Sequence, residues 1–87
     1  MTKVTERSIG GDRYEARDET SEVVYDVYRG QSGGWVASIN LFRKSSDGFT
    51  VFDIVPDFPT AVAARKHAIV SLRKTRRFEL AEFVVAR

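Results

Sequence analysis

Residues 35–44 show an alternation of side chains that strongly limits how this chain can fold. The odd positions at the start of this segment are all apolar, whereas its even positions are mixed; the odd positions are Trp35, Ala37, Ile39 and Leu41. Because successive side chains of a β-strand point to opposite faces, a period of two predicts a strand with one buried face. The rest of the chain must supply an apolar layer to cover that face.

Two further strands are predicted on either side of this one. Residues 23–28 are rich in β-branched and aromatic side chains, and residues 49–55 have the same character. The glycine-rich segment 30–34 predicts a turn before the central strand, and residues 45–48 predict a hairpin after it. Short connections between neighbouring strands indicate a three-stranded antiparallel sheet.

A single helix is predicted after the third strand. Pro56 and Pro59 indicate a connector, Thr60 is a candidate N-cap, and the alanine-rich stretch as far as Lys74 favours a helix. At 100° per residue its apolar side chains form one stripe; these residues are Ala61, Val62, Ala64, Ala68, Ile69 and Leu72. The predicted fold class is therefore α+β, a three-stranded antiparallel sheet with one packed helix in the order β-β-β-α.

The two ends of the chain are less regular. Residues 1–21 are polar and contain paired glycines, so we expect a mostly flexible N-terminal segment, with a short strand at 13–17 as the alternative. Residues 22–87 are predicted to form a single α+β domain. Residues 78–87 fit a fourth strand as well as a continuation of the helix, because short apolar runs do not distinguish the two.

The composition excludes several classes of function. The chain has 87 residues and no cysteine, which removes disulfides, thiolate nucleophiles and cysteine-ligated zinc. The lone histidine, His67, has no carboxylate at a metal-ligand spacing and is expected on the surface. The polar N-terminus is not typical of a signal peptide, and no apolar run is long enough to span a bilayer. We expect a cytoplasmic protein that is not an enzyme, binds no metal or cofactor and has no membrane partner.

The middle of the chain resembles known domains. The segment 34–39, the turn ending at Gly48, the helix opening at 58–61 and the inner alanines of the helix carry the resemblance. The pattern, over about residues 28–72, is similar to the AP2 DNA-binding domain and to the arm-binding domains of tyrosine integrases. It also resembles the strand–helix half of double-stranded RNA-binding domains and many small bacterial proteins. The resemblance implies a three-stranded sheet with a packed helix.

DNA recognition by the AP2 family uses arginines and tryptophans on the exposed sheet face. In this chain only the run 28–30, Tyr-Arg-Gly, matches the start of that pattern, and the strands that follow lack its basic residues. Asp26 and Asp53 lie within predicted strands, where phosphate would be repelled. The resemblance therefore implies the fold more strongly than the mode of DNA recognition.

The basic residues are concentrated in one segment. Residues 58–78 hold six lysines and arginines and no acidic residue. These candidate nucleic-acid-binding residues are Arg65, Lys66, Arg73, Lys74, Arg76 and Arg77, with Arg43 and Lys44 at the end of the predicted hairpin. Such a segment is typical either of a surface that meets phosphate or of a solvated helix flank. The first interpretation predicts a non-specific DNA- or RNA-binding accessory protein.

The alternative function is a protein-interaction module. Alternation places apolar side chains on the second face of the sheet as well, at Val24, Tyr28, Val36 and Phe42. One helix cannot cover both faces, so the second face is expected to be covered by a terminal segment or to bind a second copy or another protein. No combination of side chains in the sequence indicates catalysis.

Overall fold

The computed structural model describes residues 2–43 and 50–86 of the chain. Strands, one α-helix and a short 3-10 helix account for most of these residues. In chain order they are β1 Lys3–Ser8, β2 Arg13–Asp18, β3 Val23–Arg29, β4 Trp35–Arg43, β5 Thr50–Phe58, α1 Ala61–Arg73, the 3-10 helix Arg76–Phe78 and β6 Glu82–Val85. The hairpin predicted at 45–48 lies outside the described residues.

The strands form one mixed sheet. Its order is β5-β4-β3-β2-β1-β6, in which β1 to β5 pair antiparallel with their sequence neighbours and β6 pairs parallel with β1. Parallel pairing requires a crossover connection. Here α1 provides it, since it carries the chain from β5 at one edge of the sheet to β6 at the other.

The predicted three-stranded fold in the order β-β-β-α is therefore wrong. The N-terminal segment expected to be flexible contributes two strands, of which β2 corresponds to the short strand considered at residues 13–17. Val4 and Ala16 from these strands are almost fully buried, at 1% and 0% exposure. These strands show no clear apolar alternation in the sequence, because the charged residues Glu6 and Asp18 also occupy inward positions.

The C-terminal segment forms a strand, one of the two elements predicted for it, and does not continue the helix. Residues 82–85 form a strand, and residues 76–78 form a separate 3-10 turn rather than a continuation of α1. Phe78 and Ala81 anchor the connection, since both are buried in the core. Phe78 and Ala81 therefore extend the core beyond the end of α1.

The predicted connector at Pro56 and Pro59 begins too early. Strand β5 continues through Pro56 to Phe58, with a register shift against β4 between its pairs with Ala37 and Trp35. Proline is tolerated because β5 is an edge strand, where no neighbour needs its missing N–H group. Asp57 has a φ of 68°, and its carboxylate accepts a hydrogen bond from Ser32 at 3.2 Å.

Helix α1 packs mainly on β4 and also on β3 and β5. The side chain of Thr60 caps it by accepting a hydrogen bond from the N–H of Ala63 at 3.1 Å, as the sequence predicts. Its buried residues, Ala64, Ala68 and Leu72, lie in one core cluster with Ala37 and Ile39 of β4. The predicted stripe was wrong at Val62, which is 59% exposed, and Trp35 and Leu41 are only partly buried.

Candidate functional site

The acid-free segment forms one outer layer of the molecule. From residue 59 to residue 78 the chain holds no aspartate or glutamate, and this stretch includes all of α1 and the 3-10 turn. Six of the eight candidate basic residues lie on it. Of the other two, Arg43 is the last residue of β4 and Lys44 falls outside the described residues.

Three of these cations make contacts within the protein. Arg65 lies against Glu6, Arg77 pairs with Asp18, and the guanidinium carbon of Arg73 sits 4.9 Å from the ring centre of Phe83. Their positive charge is therefore shared with the sheet or with an aromatic ring. The sequence interpretation of these residues as free phosphate contacts is weakened, because two of them neutralise carboxylates.

The Arg77–Asp18 pair joins the C-terminal connection to strand β2. The Asp18 side chain has no exposed surface, and it also accepts hydrogen bonds from the backbone N–H groups of Thr20 and Glu22 and from the Thr20 hydroxyl at 2.7 Å. Burial opposes ionisation, but these hydrogen bonds and the Arg77 charge outweigh it and lower the pKa of Asp18. Asp18 is consequently a charged anchor for the turn after β2.

A second buried carboxylate lies beneath the first half of α1. Glu6, only 5% exposed, accepts a 2.6 Å hydrogen bond from the hydroxyl of Tyr25, and its Oε2 atom lies 3.4 Å from Nε of Arg65. Ala16 lies between Glu6 and Tyr25 in the register of the sheet, and its small side chain leaves room for this contact. Burial, followed by the Glu6 hydrogen bond, raises the pKa of Tyr25.

A cavity of about 210 Å³ opens beside this cluster. Its walls are mostly apolar, with one carboxylate and one guanidinium, and include Glu6, Tyr14, Val27, Val62, Arg65 and Val85. The Nε atom of Arg65 is buried and has no hydrogen-bond partner among the described residues. The two charged groups of the cavity, Glu6 and Arg65, lie against each other, and Glu6 also accepts the hydrogen bond from Tyr25. These contacts join the sheet to the helix beside the cavity.

The remaining cations are exposed. Lys66, Lys74 and Arg76 have no ion-pair partner within residues 2–43 and 50–86. Lys66 and the C-cap residue Lys74 are eight residues apart, roughly 12 Å along the helix axis, and both are exposed on the outer side of α1. Arg76 follows as the first residue of the 3-10 turn. We call Lys66, Lys74 and Arg76 the basic ridge.

His67 occupies a different place from the one predicted. It is partly buried, with its ring centre 5.2 Å from that of Phe58, and its Nε2 atom has no hydrogen-bond partner in the described part of the chain. Contact with Phe58 and packing against β5 account for its position. No group of three histidine, cysteine, aspartate or glutamate residues suited to holding a metal ion occurs among the described residues.

The second face of the sheet is more polar than the sequence suggests. Val24 lies at a bulge between β2 and β3 and is buried in the core. Val36 of β4 is also buried. The face of β1 to β3 instead carries ion pairs, of which Arg17–Glu15 spans 2.7 Å and Arg13–Asp26 spans 3.4 Å. Burial raises the pKa of Asp26, although the Arg13 charge opposes this. The described side chains of this face are therefore largely polar over β1 to β3.

Sequence reasoning missed Glu6, Asp18 and Tyr25 as parts of a polar network. The available signal was the spacing of two residues: Glu6 follows Val4, and Asp18 follows Ala16. This spacing places each carboxylate on the inward face of its strand together with an apolar residue. Recognition of those strands was needed first.

Comparisons of the chain with protein-family models, with curated proteins and with solved structures find no match. The resemblance to AP2 and integrase arm-binding domains stays a prediction, and its three-stranded sheet differs from the six strands observed. No helix in the described ranges is long and apolar enough to span a membrane.

Proposed function

We propose that this chain binds the phosphate backbone of DNA or RNA, without sequence specificity, through the basic ridge. The observation that carries the proposal is the exposure of Lys66, Lys74 and Arg76 on a layer that contains no acidic residue. Ammonium and guanidinium groups without an internal partner are available to displace counterions from phosphate. The expected compartment is the cytoplasm, and no catalytic step is part of the proposal.

Internal contacts of the other basic residues leave the three of the basic ridge for the proposed phosphate contact. Arg65 and Arg77 are committed to Glu6 and Asp18, and Arg73 covers the ring of Phe83. A ridge of three free cations, on a chain with a net charge of only +2, predicts weak and strongly salt-dependent binding. Replacement of Arg77 would disturb the fold as well as the charge, so it is unsuitable as a test.

The experiment measures binding of labelled single- and double-stranded oligonucleotides by fluorescence anisotropy at several salt concentrations. The ridge variant carries Lys66→Gln, Lys74→Gln and Arg76→Gln. It should bind more weakly at low salt, and its log–log salt slope should fall by about 2–3 units, since each lost phosphate contact removes about 0.7–0.9. Its thermal unfolding should be close to that of the parent, because these side chains are exposed.

For a matched comparison, a two-residue ridge variant carries Lys66→Gln and Lys74→Gln. A control variant with the same change in net charge carries Lys3→Gln and Arg7→Gln, two exposed side chains of the second sheet face that have no ion-pair partner among the described residues. It should retain most of the binding if the ridge is the contact surface. Equal losses in both variants would assign the effect to net charge alone. Absence of binding by the parent protein at low salt would refute the proposal.

A further inference from the structure

Strand β6 leaves one edge of the sheet open. The N–H of Glu82 donates to Thr2 and that of Ala86 donates to Glu6, at 2.9 and 2.8 Å, so even-numbered residues of this strand point their backbone groups toward β1. Backbone groups alternate in direction along a strand. Those of Phe83 and Val85 therefore point outward, where no described strand pairs with them.

This edge is short and carries Glu82, which protects it in part against pairing. Natural sheets also block their edges with proline, lysine or a bulge. Residues 82–85 contain neither residue type, and their pairing with β1 is regular. The side chains of Phe83 and Val85 are apolar and lie on the helix side of the sheet, opposite Val4 and Glu6 in register. Val85 is 50% exposed.

We propose that β6 pairs antiparallel with β6 of a second copy of this chain, which joins the two sheets at this edge. Placing Val84 opposite Val84 of the partner subunit aligns the outward backbone groups. Phe83 then exchanges two hydrogen bonds with Val85 of the partner subunit, and Val85 does the same with the partner's Phe83. The apolar side chains of both pairs meet on the helix side.

The same register also matches charges on the second face. It places Glu82 opposite Ala86 of the partner subunit. Within each copy, Arg7 of β1 lies beside Ala86, one position after the Glu6–Val85 pair. Glu82 is therefore two strands away from Arg7 of the partner subunit. Two strand spacings, roughly 10 Å, separate their backbones. Extended glutamate and arginine side chains span this distance. Glu82 and Arg7 are exposed, and neither side chain has an ion-pair partner in the described part of the protein.

The twofold axis of this arrangement is perpendicular to the sheet, so both copies of α1 lie on one face of the assembly. The contact is small for a protein interface, and a dimer of this size is expected to be weak. Its stability does not depend on nucleic acid, and it is tested without any.

Sedimentation equilibrium over about 10 µM to about 1 mM protein should show a reversible monomer–dimer equilibrium. Val85→Pro removes an outward N–H group while leaving the pairing with β1 intact, and it should abolish the dimer without loss of cooperative unfolding. A monomeric parent protein at the highest concentration would overturn the proposal. So would a dimer that Val85→Pro leaves unchanged in a folded protein.

The charge match provides a second test that does not alter the backbone. Arg7→Glu and Glu82→Arg should each raise the dissociation constant about tenfold, since each replaces two attractive contacts by repulsive ones. The double variant restores opposite charges and should return to within about threefold of the parent value. Additive weakening in the double variant would overturn the assigned register.

Discussion

The layer between α1 and strands β3 and β4 contains hydrocarbon side chains, whereas the layer above β1 and β2 contains buried carboxylates. In the first, Ile39 and Leu72 are fully buried beside alanines of the helix. In the second, Glu6 and Asp18 are buried, at 5% and 6% exposure, and each faces an arginine from a distant part of the chain. We call these the apolar half and the polar half of the core.

The difference between the halves lies in where the stabilising partners come from. Apolar side chains gain from any neighbour that excludes water, so the apolar half depends on shape and area. A buried carboxylate needs a specific donor, and without it the cost of desolvation is large. The polar half is therefore stable only when Arg65 and Arg77 lie next to Glu6 and Asp18.

Deletion of residues 1–18 tests whether the polar half belongs to the same cooperative unit, and it should have the largest effect. It removes β1 and β2, exposes one side of β3 and leaves β6 without a partner strand. We expect the truncated protein to lose cooperative thermal unfolding, which is measured by circular dichroism. A truncated protein that still melts in one sharp transition would show that the apolar half folds alone.

Ile39→Ala tests the apolar half by itself. Ile39 has 0% exposure and lies in the core cluster with Leu72 and the helix alanines. The change should lower the free energy of unfolding by about 2–4 kcal/mol, the usual cost of a buried cavity. Denaturant titration measures it, with Ile54→Ala as control because Ile54 is 60% exposed. Equal effects of the two variants would contradict the assigned face of the sheet.

The same contrast explains which parts of the structure the sequence could predict. Strands β3 and β4 and helix α1 show apolar periodicity, and Thr60 is a recognisable cap, so these elements were predicted close to their observed positions. Strand β1 was missed and β2 was considered only as an alternative, because Glu6 and Asp18 occupy inward positions and make the segment resemble a solvated one.

The candidate site was predicted only in part for a related reason. The segment rich in arginine and lysine is plain in the sequence, but the residues that engage Arg65 and Arg77 are 59 positions away from them, in β1 and β2. No local pattern links an arginine near the C-terminus to an aspartate near the N-terminus. The division of the basic residues between internal partners and the exposed ridge depends on the topology of the sheet.

Tyr25→Phe tests the polar half with minimal change of shape. It removes the hydroxyl that donates to Glu6 at 2.6 Å in a buried setting. The loss should be about 1.5–3 kcal/mol, typical of a hydrogen bond to a charged group. Tyr28→Phe is the matched control, since Tyr28 is only partly buried and its hydroxyl has no hydrogen-bond partner among the described residues. A cost as small as that of the control would mean that water replaces the hydroxyl.

Asp18→Asn should have the smallest effect, and its dependence on pH identifies the cause. Asparagine still accepts the hydrogen bonds from the turn but loses the charge that attracts Arg77, so we expect a cost of about 1 kcal/mol at neutral pH.

Because the pKa of Asp18 is lowered by folding, its charge stabilises the protein fully above the unfolded-state value of 3.8 and progressively less as pH falls through the lower folded value. The difference between parent and variant should therefore shrink below about pH 4. Urea titrations at neutral and acid pH measure it. A difference that stays constant with pH would assign the cost to altered packing of the amide and not to the ion pair with Arg77.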